Sequence, residues 1–466
     1  MAHLRETGYG GSWSSGVMSN PDIIEVSIER PAVGGRMIAR YGGQIVLVSG
    51  AIPGERVRVL VDRRRRDVVF ANVVDVLEAS RDRRPVSTRP ECGGRSFAHI
   101  AYRRQLALKS EIIQDGFRRV GHITLDESPS VVASPETGYR MRARLHVSDD
   151  RVGFLEEGSH RVCAAADTGQ LLPQTGRLID GLSSRARRLA SCGIQSLMLA
   201  EDLAGGQRIL HAAVVDDLHA GRAMLREVAA VSGLTGVSMS APSAVGQPRV
   251  VSGTPHVTDE VAAFLVSRDV GSFLLRRHPE AFFQANRYLV PDLVAAVERL
   301  VVAEQVVDLY SGVGLFAVSI AAARGGRVTA VERDPAATRD LAFNAHPLSP
   351  AITLAKASVE TYLKRSGSLR GSAVIVDPPR TGLSQEAAVR LTRCCPDRIV
   401  YVSCDVATQA RDLRVLTAAG YRLIQVHAFD MFPNTPHVET VVTLDRAGGH
   451  QARVRKPKML SAGPQG

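Results

Sequence analysis

The chain is poor in cysteine and in aromatic residues: 466 residues hold six Cys, one Trp and 5% aromatics. Cys92, Cys163, Cys192, Cys394, Cys395 and Cys404 form no C-x-x-C pair, and nothing around them points to secretion. Scattered in this way they read as reduced thiols of a cytoplasmic protein. No run of 18 apolar residues is present, so a membrane span is not expected. The first twenty residues are rich in Gly and Ser and lack the apolar run of a signal peptide. Negative charge is in deficit: the net charge is +11 and the pI near 9.7. Such a balance favours a polyanionic partner, most simply a nucleic acid.

The length exceeds one ordinary core, and two or three domains are expected. Residues 1–20 and the basic tail 447–466 read as disordered. Residues 21–80 alternate in the β manner with Gly and Pro punctuation, which predicts a small β-barrel. Arg56, Arg58 and the run Arg63, Arg64, Arg65 and Arg66 predict an extended basic face on it, suited to RNA. Residues 81–270 mix strands and helices as an α+β region, with ten basic against four acidic residues between Arg81 and Arg119. A helix is expected over Tyr102–Val120 and another near Leu178–Ala190. Residues 271–446 alternate helix and strand, the pattern of an α/β domain with a parallel sheet.

Four motifs in that last region read as one site. Val306-Val307-Asp308-Leu309 is a buried strand, and Gly312 and Gly314 after it allow a tight turn and close approach of a ligand. A second strand ends at Glu332, about twenty residues on, where an acid can hydrogen-bond both ribose hydroxyls of an adenosine group. With Ala317 the turn also fits a dinucleotide fingerprint, so an oxidoreductase competes. Asp308 at the start of the turn and Asp377-Pro378-Pro379-Arg380 after the fourth strand favour S-adenosylmethionine instead.

Cys404 follows the strand Ile399–Val402 and precedes a helix expected over Ala407–Leu416. A helix N-terminus favours the thiolate, which is the nucleophilic form. Carbon 5 of uracil is too weak a nucleophile to take a methyl group unaided. A thiolate added at carbon 6 places charge on carbon 5, and a base must afterwards remove the carbon 5 proton. Glu439, after Pro433-Asn434-Thr435-Pro436-His437, is the candidate base, and His437 is its rival.

These motifs resemble the RNA uridine-C5 methyltransferase family. The matching stretches are Phe282-Phe283-Gln284-Ala285-Asn286, Asp308–Gly314, Glu332, Asp377–Gly382, Ser403-Cys404 with Ala407-Thr408 and Ala410-Arg411-Asp412, and Asp430–Glu439. The resemblance implies a Rossmann-like S-adenosylmethionine methyltransferase domain at 271–446, a central α+β domain and an OB-like TRAM barrel at the N-terminus. It implies that Gln284, Tyr310, Glu332 and Asp377 line the S-adenosylmethionine site, with Asp377 also facing the uracil. Cys404 is then the nucleophile and Glu439 the proton acceptor. The implied partner is tRNA or rRNA, bound by a cytoplasmic monomer.

The sequence departs from the family at two points. Many members hold an iron–sulfur cluster through four cysteines, two in a C-G-G-C segment. In Cys92-Gly93-Gly94-Arg95 an arginine replaces the second, so neither a cluster nor another metal is expected. The common Ser-Cys-Asn-Pro is Ser403-Cys404-Asp405-Val406, and Asp405 is expected to oppose thiolate formation by its charge. A cytosine-C5 methyltransferase competes but would carry a cysteine where Arg380 stands. A noncatalytic RNA-binding protein competes too, against the presence of Cys404, Glu439 and the cofactor residues together.

Overall fold

In the computed structural model, residues 22–86, 92–214, 218–241, 248–265 and 270–447 are described. The ends read as disordered, 1–20 and all but the first residue of 447–466, lie outside them. Two compact units form, the first holding the barrel up to Arg30 and from Arg36 to Arg81, the second made of Pro31–Gly35 and the chain from Asp82 onward.

The barrel consists of β1 (Ile23–Pro31), β2 (Met37–Tyr41), β3 (Gln44–Ser49), β4 (Arg56–Arg64) and β5 (Val68–Glu78), closed in the order β1-β2-β3-β5-β4. Period-2 alternation explains it. In β4, Val57 and Val59 are buried with Val26, Val46, Val48 and Val69, while Arg56 and Arg58 face outward.

In the second unit come α1 (Tyr102–Gly116), β6 (Val131–Val132), β7 (Arg142–Val147), β8 (Val152–Leu155), β9 (Val162–Ala164), α2 (Pro173–Gly181) and α3 (Ala186–Ser191). Next are β10 (Ser196–Glu201), β11 (Arg208–Ala213), α4 (Leu218–Ala229), β12 (Gly236–Ser240) and β13 (Arg249–Gly253). These strands make a sheet in the order β13-β12-β11-β10-β7-β8-β9. One face of it, through Leu145, Leu197, Leu199, Leu210 and Val237, joins a core with Ile179, Leu189 and Leu225 of the helices. The single helix expected over 178–190 is broken into α2, a 3-10 turn at Leu182–Arg185, and α3. Gly181, Ser183 and Ser184 are weak helix formers at that point.

Then follow β14 (Val257–Glu260), β15 (Leu274–Arg277), α5 (Val290–Leu300), β16 (Gln305–Leu309), α6 (Leu315–Arg324), β17 (Arg327–Glu332), α7 (Pro335–Ala345), β18 (Ile352–Lys356), α8 (Val359–Arg365) and β19 (Ser372–Val376). The chain closes with α9 (Gln385–Cys394), β20 (Arg398–Ser403), α10 (Val406–Ala418), β21 (Tyr421–Phe429) and β22 (Glu439–Arg446). The sheet order is β18-β17-β16-β19-β20-β22-β21-β6. Strands β16 to β20 are parallel, and β22 runs against β20 and β21. Chain order reverses between β16 and β19, and this switch point is where an open α/β sheet receives a ligand.

Cys92 and Cys163, expected as free thiols, are joined as a disulfide with Cα atoms 6.0 Å apart. Pairing of Cys92 with Glu156 and of Phe154 with Cys163 brings the two segments together, a contact across 71 residues that local spacing does not reveal. Beside them Arg95 donates to the carbonyl of Thr168 (3.0 Å). Among the described residues no group of three or more His, Cys, Asp or Glu is arranged to hold a metal ion, and no helix is long and apolar enough to cross a membrane.

Candidate active site

The turn after β16 is built as its glycines require. Gly312 (φ +56°) and Gly314 (φ +94°) lie in the left-handed region. A Cβ on Gly314 would meet Leu341 Cδ1 at 2.6 Å, whereas one on Gly312 would find nothing nearer than the Phe282 carbonyl at 3.9 Å. Gly314 lets the turn pack against the helices, and Gly312 keeps space open for a ligand. Tyr310 is also at positive φ, +63°. Glu332, at the end of β17, accepts from Gly312 N (2.8 Å), Arg333 N (2.7 Å) and Asp334 N (2.7 Å). A carboxylate has about four lone-pair directions, so one remains for a ribose hydroxyl.

A cleft of about 860 Å³ opens here, lined by Tyr310, Glu332, Arg333, Ser358, Thr381 and Leu383 among others. Its size suits a nucleoside-type cofactor. Asp308 lies beneath the turn, fully buried, with Oδ2 accepting from Ala317 N (3.1 Å) and Oδ1 without a partner. Burial pushes its pKa up to about 8.

The second group forms at the edge of the sheet where β19 and β20 end and β22 begins. Ser403 pairs with Thr440 across β20 and β22, so Cys404 and Glu439 follow as neighbours beyond the last paired residues. Asp377 is the first residue after β19. Gln284 Nε2 donates to Asp377 Oδ2 at 3.4 Å and links this group to the segment passing the glycine turn. Glu439 is buried (2% exposed), and burial, then the charge of Asp377, raise its pKa well above the usual range while Arg380 opposes. Asp377 is pushed up to about 7 by burial, against its hydrogen bond to Gln284.

Two expectations at the thiol are corrected. The Cys404 pKa is pushed up to about 12, chiefly by burial and next by Glu439, where the helix N-terminus was expected to lower it. Asp405 does not turn its charge on the sulfur: its Oδ1 caps α10 by accepting from Thr408 N at 2.8 Å. The sequence also left Arg380 without a role. The positive charge of its guanidinium, close to Cys404, favours the thiolate. A cation was to be sought here, because a thiolate beside two acids needs one. His437, the rival base, is exposed.

Further support lies outside the four motifs. Asn434 (φ +64°) accepts from Arg84 Nη2 (2.8 Å) and Gln105 Nε2 (3.0 Å), and Lys109 of α1 forms a fully buried ion pair with Asp430. These bonds fix the turn leading to Glu439. On the barrel, Arg56 pairs with Glu25 and Glu78, Arg58 with Asp75 and Arg64 with Asp22. The basic face expected over all six arginines is therefore partly neutralised. Arg36, Arg63 and Arg65 instead gather over the ring of Phe70, at 5.6, 4.4 and 5.8 Å.

Comparison with known proteins agrees with this geometry. Residues 351–447 match the family described as tRNA (Uracil-5-)-methyltransferase, and residues 22–74 match the TRAM domain. A 23S rRNA (uracil(1939)-C(5))-methyltransferase of Methylococcus capsulatus is 31% identical, covering 91% of this chain and 97% of its own. An uncharacterized RNA methyltransferase of Thermotoga maritima is 31% identical, with 91% and 99% covered. The crystal structure of the Pyrococcus abyssi tRNA (uracil-54, C5)-methyltransferase in complex with S-adenosyl-L-homocysteine superposes with a TM-score of 0.67 at 25% identity, covering 90% of this chain and 100% of that one.

Proposed function

The chain belongs to the RNA uracil-C5 methyltransferase family, and on that premise we propose that it methylates carbon 5 of a uridine in tRNA or rRNA through a covalent adduct at Cys404. The observation that carries this reading is the meeting of Cys404, Glu439, Asp377 and Arg380 at one sheet edge beside the cofactor cleft. S-adenosylmethionine, bound by Gln284, Tyr310, Glu332 and Asp377, supplies an electrophilic methyl group. No metal or cluster is assigned.

Cys404 gives its proton to solvent and its sulfur bonds carbon 6 of the uracil. The ring's electron pair moves to carbon 5, which takes the methyl group as the methyl–sulfur bond breaks and S-adenosylhomocysteine leaves. Glu439 removes the carbon 5 proton, the C5–C6 double bond re-forms and the S–C6 bond breaks, releasing the thiolate. A carboxylate raised by burial is a stronger proton acceptor than one in water. Arg380 offsets the charge of the thiolate and of the acids around it. Asp377 keeps Gln284 in register and faces the base.

Residues 271–446 carry this chemistry, while the central region 81–270 and the barrel 21–80 hold the RNA. Arg36, Arg63 and Arg65 around Phe70 suit a nucleotide strand, since they offer cations for phosphate and a ring face. The target uridine is drawn out of the RNA fold into the pocket. The expected form is a cytoplasmic monomer.

RNA from cells lacking the enzyme, incubated with the protein and S-adenosylmethionine, is expected to gain 5-methyluridine; 5-methylcytidine alone would overturn the assignment. Glu439→Gln is expected to accumulate a denaturation-resistant protein–RNA species carrying the methyl label, and Cys404→Ala to give none. If His437→Ala accumulates that species while Glu439→Gln turns over normally, the base is His437.

A further inference from the structure

The turn Arg380–Leu383 belongs to both halves of the site. Thr381, Gly382 and Leu383 line the cofactor cleft together with Arg411 and Asp412, while the charge of Arg380 favours the Cys404 thiolate. One face of α10 grips this turn. Thr408 Oγ1 donates to the Arg380 carbonyl (3.0 Å), and Arg411 Nη2 donates to the carbonyls of Thr381 (2.9 Å) and Leu383 (3.1 Å). Asp412 Oδ2 accepts from Leu383 N (2.7 Å) and from the Tyr401 hydroxyl (2.7 Å), and its Oδ1 accepts from Arg411 Nε (2.9 Å). Spacing of three and four residues sets 408, 411 and 412 side by side on the helix. Gly382 (φ +73°) is pressed so closely that a Cβ would stand 2.5 Å from Asp412 Oδ2 and 2.6 Å from Arg411 Nη2.

A carboxylate that is 3% exposed is costly to bury, and a merely space-filling position would be apolar. Here the donors that meet it come from the turn, from the strand leading to Cys404 and from the helix beyond Cys404. Resting on the covalent reading above, we propose that Asp412 is a positioning residue that couples the cofactor cleft to Cys404: a ligand packed on Thr381 and Leu383 settles the turn, and the settled turn sets Arg380 against the thiol. Addition of Cys404 to carbon 6 is then fast only when the cleft is filled.

Addition can be read without methyl transfer. In RNA bearing tritium at carbon 5 of uridine, Cys404 adds to carbon 6, carbon 5 takes a proton from water, the base removes the tritium, and elimination restores uracil and thiol. The probe for the cleft is S-adenosylhomocysteine, which has no methyl group to give. With the full-length protein it is expected to speed tritium release about tenfold or more, the scale on which small misplacement of a reacting group is felt. In Asp412→Asn that acceleration should fall towards one, while the dissociation constant of S-adenosylhomocysteine changes less than about threefold, a coupling loss and not a binding loss. Thr408→Val and Arg411→Gln, on the accessible side of the same grip, give the same readout if Asp412→Asn does not fold, and each should lower kcat more than it raises KM for RNA. Variants that keep the full acceleration overturn the proposal. So do variants whose cofactor affinity falls by the same factor as the acceleration, because Asp412 then only shapes the cleft. A wild-type protein that releases no tritium with or without the probe overturns the covalent reading instead.

Discussion

At the scale of single residues, burial sets the chemistry more than chain neighbours do. Cys404 precedes a helix, yet desolvation and Glu439 push its thiol up to about 12. The midpoint of its alkylation rate against pH, followed by mass spectrometry of the Cys404 peptide, should fall by about one unit or more in Glu439→Gln and rise in Arg380→Gln. Identical profiles in the three proteins would remove both groups from the thiol's surroundings. Asp308 gives a stability test. Its folded pKa of about 8 lies above the ordinary carboxylate value, so between those two values the folded state holds a proton that the unfolded state has lost. Stability contributed by this group is therefore full at low pH and is lost as pH rises towards 8. Asp308→Asn keeps an acceptor for Ala317 N and removes the ionisation. It should raise the Tm at pH 8.5 relative to wild type by the equivalent of about 2 kcal/mol or more, and much less at pH 5. A Tm difference independent of pH would contradict this. The motif order of Cys404, Glu439, Asp377, Gln284 and Glu332 was legible in the sequence, and the roles proposed for them rest on it. The protonation of Cys404 and the capping turn of Asp405 were not, since both depend on where a side chain points in the folded state.

At the scale of elements, strand alternation carried most of the barrel. Val57 and Val59 face in and Arg56 and Arg58 face out, as period 2 demands. Which arginines stay free to meet RNA was hidden, because Glu25, Glu78, Asp75 and Asp22 reach them across strands and not along the chain. The pairing changes the expectation for mutagenesis. Arg63→Gln with Arg65→Gln should weaken RNA binding about tenfold at moderate salt and flatten the plot of log K against log salt by about 0.7 per lost single-strand phosphate contact. Arg56→Gln with Arg58→Gln, which breaks pairs already satisfied at the surface, should change affinity little. Fluorescence polarisation with one RNA over a salt series distinguishes the two, and a larger loss in the second pair would return the contact to the face read from the sequence. The helix expected over 178–190 shows the complementary weakness of periodicity. Its apolar spacing is helical, but Gly181, Ser183 and Ser184 break it locally.

At the scale of the whole molecule, the catalytic sheet is not completed by the segment that carries its motifs. β6 lies in the central stretch and pairs with β21, Arg140 bridges to Asn286, and Met141 joins the core that holds Val306 and Phe316. Lys109 of α1 reaches Asp430 across 321 residues and is fully buried with it. No local pattern announces a contact at that separation; only the folded sheet brings the two together. Removing one partner of a buried ion pair costs about 3–5 kcal/mol, because a buried charge is left alone. That is a large share of the roughly 5–15 kcal/mol that holds a domain together. Lys109→Met should therefore lower stability by about that amount in urea titration, and adding Asp430→Asn should recover part of it by removing the stranded charge. The same logic extends to fragments. A chain of residues 271–447 lacks Lys109 and β6, so it should fail to give a cooperative thermal transition or to bind S-adenosylhomocysteine. Residues 82–447, which keep α1, β6 and the central sheet, should do both while binding RNA more weakly than the full chain. Should 271–447 melt cooperatively and bind S-adenosylhomocysteine as tightly as 82–447, the motifs fold as an autonomous unit, and the buried pair across 321 residues serves only to dock the central region onto it.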